Sequence, residues 1–169
     1  LAGCLAQAQE GTKFDQTKAW DFLIKQCDLG PRPPMTEAHV KCRDLIKEEM
    51  LKYCPDTRLQ QFFHRWSTNG QNLEMWNIIG TQNWDKAKQR VLLMAHWDTR
   101  PTADQEHYPA NQSKPILGAD DGASGVAVLL ELMRVMKDAN PDLGIMYVMV
   151  DGEDVGPGLD EMFLGAVRF

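Results

Sequence analysis

The sequence predicts an α/β fold built around a parallel pair of buried strands. Residues 91–95 and 145–150 are two continuous apolar runs, and such runs are typical of strands that are covered on both faces. Residues 122–138, which lie between them, carry only a narrow polar stripe, and this pattern predicts a largely buried helix. A strand, a crossover helix and a second strand form the basic unit of a parallel sheet. The polar stripe consists of Glu131, Arg134 and Asp138.

Two helices are predicted before this unit. Asp15 begins the first, which runs to about Cys27 and ends before the segment 30–34 (GPRPP), because proline cannot donate a helical hydrogen bond. Thr36 begins the second, which runs to about Tyr53. The predicted buried face of the first helix consists of Ala19, Trp20, Leu23, Ile24 and Cys27, and that of the second of Cys42, Leu45, Ile46 and Met50.

A hairpin is predicted between the second helix and the first buried strand. Residues 57–67 and 72–80 are strand-like, and Asn69-Gly70 between them suits the positive dihedral angles of a tight turn. Residues 1–13 are small and polar, which indicates a flexible leader. Residues 14–169 are therefore interpreted as the front part of a single α/β domain.

Composition and charge exclude several classes of protein. Apolar residues make up 43% of the 169 residues and charged residues 25%, which excludes a disordered chain and a small disulfide scaffold. No run approaches the roughly 18 consecutive apolar residues of a transmembrane helix. The 18 basic and 24 acidic residues give a net charge of −6, and no cluster of Lys and Arg offers a surface for nucleic acid.

The first of the four cysteines marks a candidate processing site. Residues 1–4 (LAGC) resemble the end of a bacterial lipoprotein signal, in which small residues precede the cysteine that receives the lipid. This interpretation predicts an exported protein, periplasmic or membrane-anchored, with a lipid anchor at Cys4; the alternative is a cysteine in a frayed terminus. The other three cysteines are odd in number, so Cys27, Cys42 and Cys54 form at most one disulfide among themselves.

Polar residues follow both predicted strands and open the helix between them. His96, Trp97 and Asp98 come directly after the first strand, residues 118–122 open the helix, and residues 151–154 follow the second strand. Ligands of an open α/β sheet bind beyond the carboxyl ends of its strands. We therefore expect one histidine and at least four carboxylates at a single edge of the sheet.

This concentration of carboxylates indicates a metal site. Neighbouring carboxylates repel each other unless a cation compensates, and histidine nitrogen with carboxylate oxygens suits Zn²⁺. Each segment alone also has a structural explanation: an aspartate at 120 or 121 can cap the helix, residues 151–154 can form a solvated turn, and His96 can be a hydrogen-bonded structural histidine. The metal site explains all three together. The remaining histidines, His39, His64 and His107, are expected to be structural.

The three segments resemble the motifs of the zinc aminopeptidase superfamily (peptidase clan MH). Residues 95–101 (AHWDTRP), 118–125 (GADDGASG) and 151–154 (DGED) occur in the family's order, and the likeness extends over about residues 15–169. It is greater to bacterial members of the glutaminyl-peptide cyclotransferase-like branch. Residues 30–33 (GPRP) are similar to the family's N-terminal proline-containing segment. The resemblance implies a three-layer, zinc exopeptidase-like fold with a mixed, mostly parallel central sheet flanked by helices.

The resemblance also implies a role for each motif residue. Asp121 and Asp154 match zinc ligands, and Glu153 matches the general acid/base. His96 matches a ligand of the second zinc in two-metal aminopeptidases and is not a direct ligand in one-zinc cyclases. Asp98 matches an aspartate that orients a ligand.

These roles imply an enzyme whose substrates are the N-termini of peptides or proteins. The first hypothesis is a zinc-dependent glutaminyl-peptide cyclotransferase, which forms pyroglutamate from N-terminal glutamine and releases ammonia. The alternatives are a zinc aminopeptidase and a truncated, non-catalytic domain. Trp97 is interpreted either as a wall of the substrate pocket or as a core residue.

The third hypothesis arises from the end of the sequence. The family completes its site with a further acidic residue and a histidine well beyond the carboxylate pair. Only 15 residues follow Asp154, and none of them is histidine. We therefore expect a chain that is truncated at its C-terminus.

Overall fold

The computed structural model describes residues 13–137 and 142–169. Cys4, residues 1–12 of the predicted leader and Asp138 of the predicted stripe lie outside the described residues. Among the helices that are described, none is both long and apolar enough to cross a membrane. The elements in chain order are α1 (Gln16–Asp28), α2 (Glu37–Leu51), β1 (Arg58–Arg65), β2 (Asn72–Gln82), β3 (Gln89–His96), α3 (Gly125–Met136), β4 (Leu143–Val150) and α4 (Leu164–Arg168).

Helix α1 begins where the sequence predicts but buries a partly different face. The Asp15 carboxylate accepts hydrogen bonds from two N–H groups of the first turn, as a helix N-cap does. The predicted face is correct in part: Ala19, Leu23 and Cys27 are half-buried, and Leu23 packs against the core. It is wrong for Trp20 and Ile24, which are 62% and 39% exposed, whereas Phe22 and Gln26 are buried. The Gln26 amide donates to the main-chain carbonyl groups of Phe22 and Ala123. A polar side chain therefore occupies the buried face, and apolar spacing carries no signal for it.

Helix α2 agrees closely with its prediction. The hydroxyl of Thr36 accepts a hydrogen bond from the N–H of His39 at 3.2 Å, and the helix ends at Leu51, two residues before the predicted end. Three of the four predicted residues are fully buried and the fourth is half-buried; the four are Cys42, Ile46, Met50 and Leu45.

Strands β1 and β2 form the predicted antiparallel hairpin, with a longer loop than the tight turn that the sequence predicts. The N–H of Trp66 donates to the carbonyl of Gln71, and the N–H of Gly70 donates to the carbonyl of Trp66, both at 2.8 Å. Gly70 has a φ of 72°, but Asn69 does not enter the positive region. Residues 67–70 therefore form a four-residue loop, in which only the glycine needs its conformational freedom.

The four strands form one mixed sheet in the order β1-β2-β4-β3. Strand β4 pairs parallel with β3, as predicted, and antiparallel with β2. The prediction that both apolar strands are covered on both faces is correct for β4 and wrong for β3, where Val91, Leu92 and Met94 are 41%, 47% and 40% exposed. Within the described residues β3 pairs only with β4, so it lies at an edge of the sheet.

Helix α3 begins at Gly125, three residues after its predicted start. Residues 119–124 form an irregular helical turn before it. Glu131 of the predicted polar stripe is buried and is paired with the guanidinium of Arg134. The Glu131 carboxylate also accepts the N–H of Asp15 at 2.6 Å, which connects α3 to the start of α1.

Helices lie on both faces of the sheet and give the three layers that the resemblance implies. Helices α1, α2 and α3 pack on one face, where Ile78, Tyr147 and Met149 belong to the same buried cluster. On the other face, Leu164 of α4 packs against the cluster that contains Met75. The described cysteines are free thiols: Cys27, Cys42 and Cys54.

Candidate active site

Three separate segments meet at one edge of the sheet, at the ends of β3 and β4. His96 is the last residue of β3 and lies opposite Val150, the last residue of β4, in the parallel register. The Nε2 atom of His96 lies 2.9 Å from Oδ1 of Asp121, in the turn before α3. Its Nδ1 atom lies 3.7 Å from Oε2 of Glu153, in the turn after β4. The structure thus brings these three predicted residues together.

Asp98 lies beneath this group and holds the carboxylate-bearing turn in place. Its side chain is fully buried, and its two oxygens accept hydrogen bonds from the N–H groups of Glu153 at 3.0 Å and Asp154 at 3.1 Å. The Asp98 Oδ1 atom also lies 3.6 Å from Nδ1 of His96. Asp98 therefore connects the end of β3 to the turn after β4.

The Asp154 carboxylate is directed away from His96, toward an arginine. Its Oδ1 atom accepts a hydrogen bond from the Arg100 guanidinium, which also donates two hydrogen bonds to Asp104. Asp154 and Asp121 line the same cavity, so Asp121 borders both the His96 group and Asp154. Sequence reasoning missed the role of Arg100, although the residue lies within the AHWDTRP motif.

Asp151 is not at the edge where the sequence predicts it. Its carboxylate is fully buried, with both oxygens 2.9 Å from Nε2 of His39 on α2. It also accepts the N–H groups of Trp76 and Gly152, both at 2.8 Å. Gly152 has a φ of 64° and takes the chain out of the extended conformation, so Asp151 and Glu153 do not share the direction that an extended segment would give them. His39 is structural, as expected.

Trp97 belongs to the core, and its interpretation as a pocket wall is wrong. The side chain is fully buried and its ring stacks on that of His39, with centroids 4.3 Å apart. The indole N–H donates to the carbonyl of Trp76 at 3.2 Å. Trp97 follows His96 on an extended segment, so its side chain leaves the opposite face.

Neither aspartate of the turn before α3 caps the helix. Ser124 is the N-cap residue and no side-chain oxygen accepts a capping hydrogen bond there. The Asp121 carboxylate is instead directed to His96. The expectation that an aspartate at 120 or 121 caps this helix is therefore wrong.

The electrostatics of the group favour a charged imidazole and raise the pKa of two neighbouring carboxyls. Burial opposes the charge on His96, but Asp98, Glu153 and Asp121 outweigh it and raise the pKa of the imidazole to about 9. Burial, together with the charges of neighbouring carboxylates, raises the pKa of Glu153 above its ordinary value. Burial also raises the pKa of Asp154, although Arg100 opposes this shift.

The donor atoms fit a divalent cation. One ligand atom from each of His96, Asp121 and Glu153 lies within 4.8 Å of the other two. The Nδ1 atom of His96 is buried, and it has no hydrogen-bond partner among the described residues. Imidazole nitrogen with carboxylate oxygens suits Zn²⁺, and a cation would remove the repulsion that raises the pKa of Glu153.

A cavity of about 660 Å³ opens beside the group. Asp121 and Asp154 form its acidic end, and Arg100 lies next to them. Three further polar side chains line the cavity, Asp104, Gln105 and Glu106. Its apolar lining consists of Ala103, Ile116, Pro157, Leu159 and Met162. The volume is in the range of small-ligand sites, which are concave, mostly apolar and supplied with a few polar groups.

Comparison with known proteins identifies relatives of this chain. The structure is similar to that of Tannerella forsythia glutaminyl cyclase (37% identity, TM-score 0.84, covering 92% of this chain and 55% of that one). It is also similar to a Zn-dependent exopeptidase from Parabacteroides distasonis (35% identity, TM-score 0.79, covering 91% and 55%). Bos taurus glutaminyl-peptide cyclotransferase is 31% identical over 164 residues, which cover 89% of this chain and 42% of that protein.

The chain therefore spans about half the length of these relatives or somewhat less. The model of peptidase family M28 matches residues 77–169, which is more than half of the chain and includes all three motifs. The resemblance to the zinc aminopeptidase superfamily, and to its glutaminyl cyclase-like members, is confirmed. This chain belongs to peptidase family M28.

Proposed function

We propose that the protein is a zinc-dependent enzyme that acts on peptide N-termini and converts N-terminal glutamine to pyroglutamate with release of ammonia. The observation that carries the proposal is that Glu153 and Asp121 meet at His96, beside a cavity that Asp121 and Asp154 both line. The likeness to solved glutaminyl cyclases supports cyclisation, and the comparable likeness to a Zn-dependent exopeptidase supports the second candidate described below.

Asp121 and Asp154 would hold a single zinc ion in the cyclase. Arg100 occupies Oδ1 of Asp154, which leaves Oδ2 for the ion. Bound Zn²⁺ would polarise the side-chain amide carbonyl of the substrate glutamine. In this one-zinc arrangement His96 stays beside Asp121 and orients its carboxylate.

Glu153 would move the proton. Burial raises the pKa of Glu153 toward neutral pH, where a general base works best, and a bound ion does not remove that burial. Glu153 takes a proton from the α-amine of the substrate as that nitrogen attacks the side-chain carbonyl carbon, and it returns the proton to the nitrogen that leaves as ammonia. Asp98 holds the main chain of Glu153, so the carboxylate stays in place during both transfers.

The cavity would bind the N-terminal residue of the substrate. Asp121 and Asp154 line this cavity, so the zinc ion that they would hold lies beside the bound residue. The apolar walls at Ile116, Leu159 and Met162 suit the methylene groups of the glutamine side chain. A peptide continues from the mouth of the cavity into solvent.

A zinc aminopeptidase is the second candidate. The 2.9 Å contact between His96 and Asp121 favours it, because these two side chains present ligand atoms to one point and would serve a second zinc. In that reaction Glu153 would take a proton from the water that attacks the first peptide bond. The two candidates differ in the nucleophile and in the number of metal ions.

We further propose that the protein is an exported bacterial lipoprotein anchored through Cys4. The support is the LAGC sequence at residues 1–4. Metabolic labelling with a fatty acid would test it, with Cys4→Ala as the variant. Label that persists in Cys4→Ala would overturn the lipid anchor.

The function is tested by two substrates presented to the intact protein. We expect ammonia release from a glutaminyl peptide, loss of that release with a chelator, and recovery on addition of Zn²⁺. Ammonia release that a chelator does not abolish would exclude the zinc mechanism. Hydrolysis of an aminoacyl anilide without ammonia release from the glutaminyl peptide would favour the aminopeptidase. Glu48→Gln, on the exposed face of α2, is the control for removal of a carboxylate.

A further inference from the structure

Arg32 is a buried arginine whose guanidinium donates its hydrogen bonds to main-chain carbonyl groups. The residue is fully buried, in the proline-containing segment that follows α1. In the part of the chain that the structure describes, no carboxylate is among the partners of its guanidinium. The five acceptors are the carbonyl oxygens of Gln26 (3.3 Å), Gly30 (3.2 Å), Trp97 (3.2 Å), Leu117 (3.0 Å) and Gly118 (2.9 Å).

These bonds join two segments that carry the candidate site. The first segment is the end of β3 and the extended chain after it, which carry His96 and Asp98. The guanidinium donates to the carbonyl of Trp97 in this segment. In addition, the N–H of Arg32 donates to Oγ1 of Thr99 at 2.7 Å, and the N–H of Thr99 donates to the carbonyl of Arg32 at 3.3 Å. The second segment is residues 117–118, directly before the turn that carries Asp121, and the guanidinium donates to both of its carbonyl groups.

The turn at Gly118 depends on this contact. Gly118 has a φ of 64°, and a Cβ atom there would lie 2.3 Å from Cγ2 of Thr99 and 3.2 Å from NH2 of Arg32. The Gly118 carbonyl accepts from Arg32 and also from the N–H of Ala123 at 3.2 Å, which closes the turn around Asp121. Arg32 therefore contacts the start of the turn, and the N–H of Ala123 that closes the turn shares the Gly118 carbonyl with it.

We propose that Arg32 is a positioning residue for the metal-binding group: it holds the Gly118–Gly122 turn at the distance from β3 at which Asp121 meets His96. The part of this inference that concerns zinc rests on the proposed function. A lysine cannot replace Arg32, because a single ammonium with three donors does not reach carbonyl groups on three separate segments.

A buried polar side chain at the other end of the sheet provides the control. Gln82 donates to the carbonyl groups of Met133 and Tyr53 and accepts the hydroxyl of Tyr147. It lies opposite Ile145, at the end of β4 that is remote from Val150 and the site. Gln82→Leu therefore removes buried hydrogen bonds to main-chain carbonyls without touching the turn.

The test compares Arg32→Met, Arg32→Lys and Gln82→Leu in the intact protein with two measurements. In the metal-free protein, we expect amide hydrogen exchange of residues 117–123 to rise at least about tenfold in Arg32→Met and to stay unchanged in Gln82→Leu. Zinc affinity, measured by competition with a chromophoric chelator, falls by about 10- to 100-fold in Arg32→Met and less in Arg32→Lys. Arg32→Lys serves alone if Arg32→Met does not fold.

Each outcome decides the inference. The positioning role would be overturned if amide exchange at residues 117–123 were the same in the Arg32 variants as in Gln82→Leu. It would also be overturned if the wild-type protein bound zinc and the Arg32 variants bound it with the same affinity. If the wild-type protein binds no zinc, the proposed function fails, and the exchange of the metal-free protein still decides whether Arg32 holds the turn.

Discussion

His39→Phe is expected to destabilise the protein strongly through a residue that does not contact the cavity. In the wild type the imidazole of His39 donates to Asp151, both side chains are fully buried, and the His39 ring stacks on Trp97. Phenylalanine keeps the ring and its stacking but removes the N–H donor. The Asp151 carboxylate then retains only the N–H groups of Trp76 and Gly152 as donors.

The cost follows from leaving a buried carboxylate without its charged or polar partner. Removal of one member of a buried pair typically costs about 3–5 kcal/mol in the free energy of unfolding. Burial raises the pKa of Asp151, and His39 opposes that shift, so the pKa rises further in the variant. A carboxyl with a raised folded-state pKa binds more protons in the folded state, and its contribution to stability decreases as the pH rises above the unfolded value of 3.8. The deficit is therefore smaller near about pH 5 than near about pH 8.

Urea unfolding of the metal-free protein at the two pH values measures this deficit. His64→Phe is the matched control, because His64 lies 2.6 Å from Glu161 but its side chain is 24% exposed. We expect that control to lose about 1 kcal/mol or less. A loss in His39→Phe below about 1 kcal/mol, or one equal to that of His64→Phe, would refute the reasoning that the His39–Asp151 pair stabilises the base of the site.

Two further predictions concern the charges around the site. Asp98→Asn replaces one of the two acceptor oxygens by an NH₂ group that faces a main-chain N–H, so we expect a loss of about 1–3 kcal/mol in the free energy of unfolding. The variant also loses the negative charge that raises the pKa of His96, so we expect that pKa to be lower than the wild-type value of about 9. An NMR titration of the metal-free protein measures the pKa of His96. Because this pKa lies above the unfolded value, the stabilisation by the charged imidazole is complete below about pH 6.5 and is lost as the pH rises through about 9. Titration of wild-type His96 near 6.5 would contradict the interpretation. Arg100→Met removes the group that lowers the pKa of Asp154 against burial, so that pKa rises; a carboxyl ¹³C titration that shows no change would contradict the ion pair.

The sequence predicts the positions of the elements well because local signals determine them. Asp15 and Thr36 cap their helices as their residue types indicate, and the apolar spacing in α2 identifies its buried residues. The meeting of His96, Asp121 and Glu153 follows from topology, because two parallel strands and the helix between them place their ends at one edge.

The sequence does not predict what each side chain contacts. An apolar run shows that β3 can be covered but not which neighbours it has. The alternation of side chains buries Trp97 beside His96, and the turn at Gly152 separates the buried Asp151 from Glu153. Arg32 and Arg100 carry no signal in spacing or composition, since a buried arginine is satisfied by carbonyl groups and carboxylates from distant parts of the chain. Such contacts depend on the tertiary structure alone.

The central claim is that Glu153 transfers the proton at a zinc site, and Glu153→Gln tests it most directly. The measurement is ammonia release from a glutaminyl peptide by the zinc-loaded intact protein, with zinc content determined on the same sample. We expect the variant to retain zinc and to lose about 10²- to 10⁴-fold in turnover, because the amide cannot accept the proton of the attacking amine. Turnover within about threefold of the wild type, in a variant that retains its zinc, would contradict the assignment of Glu153 as the base.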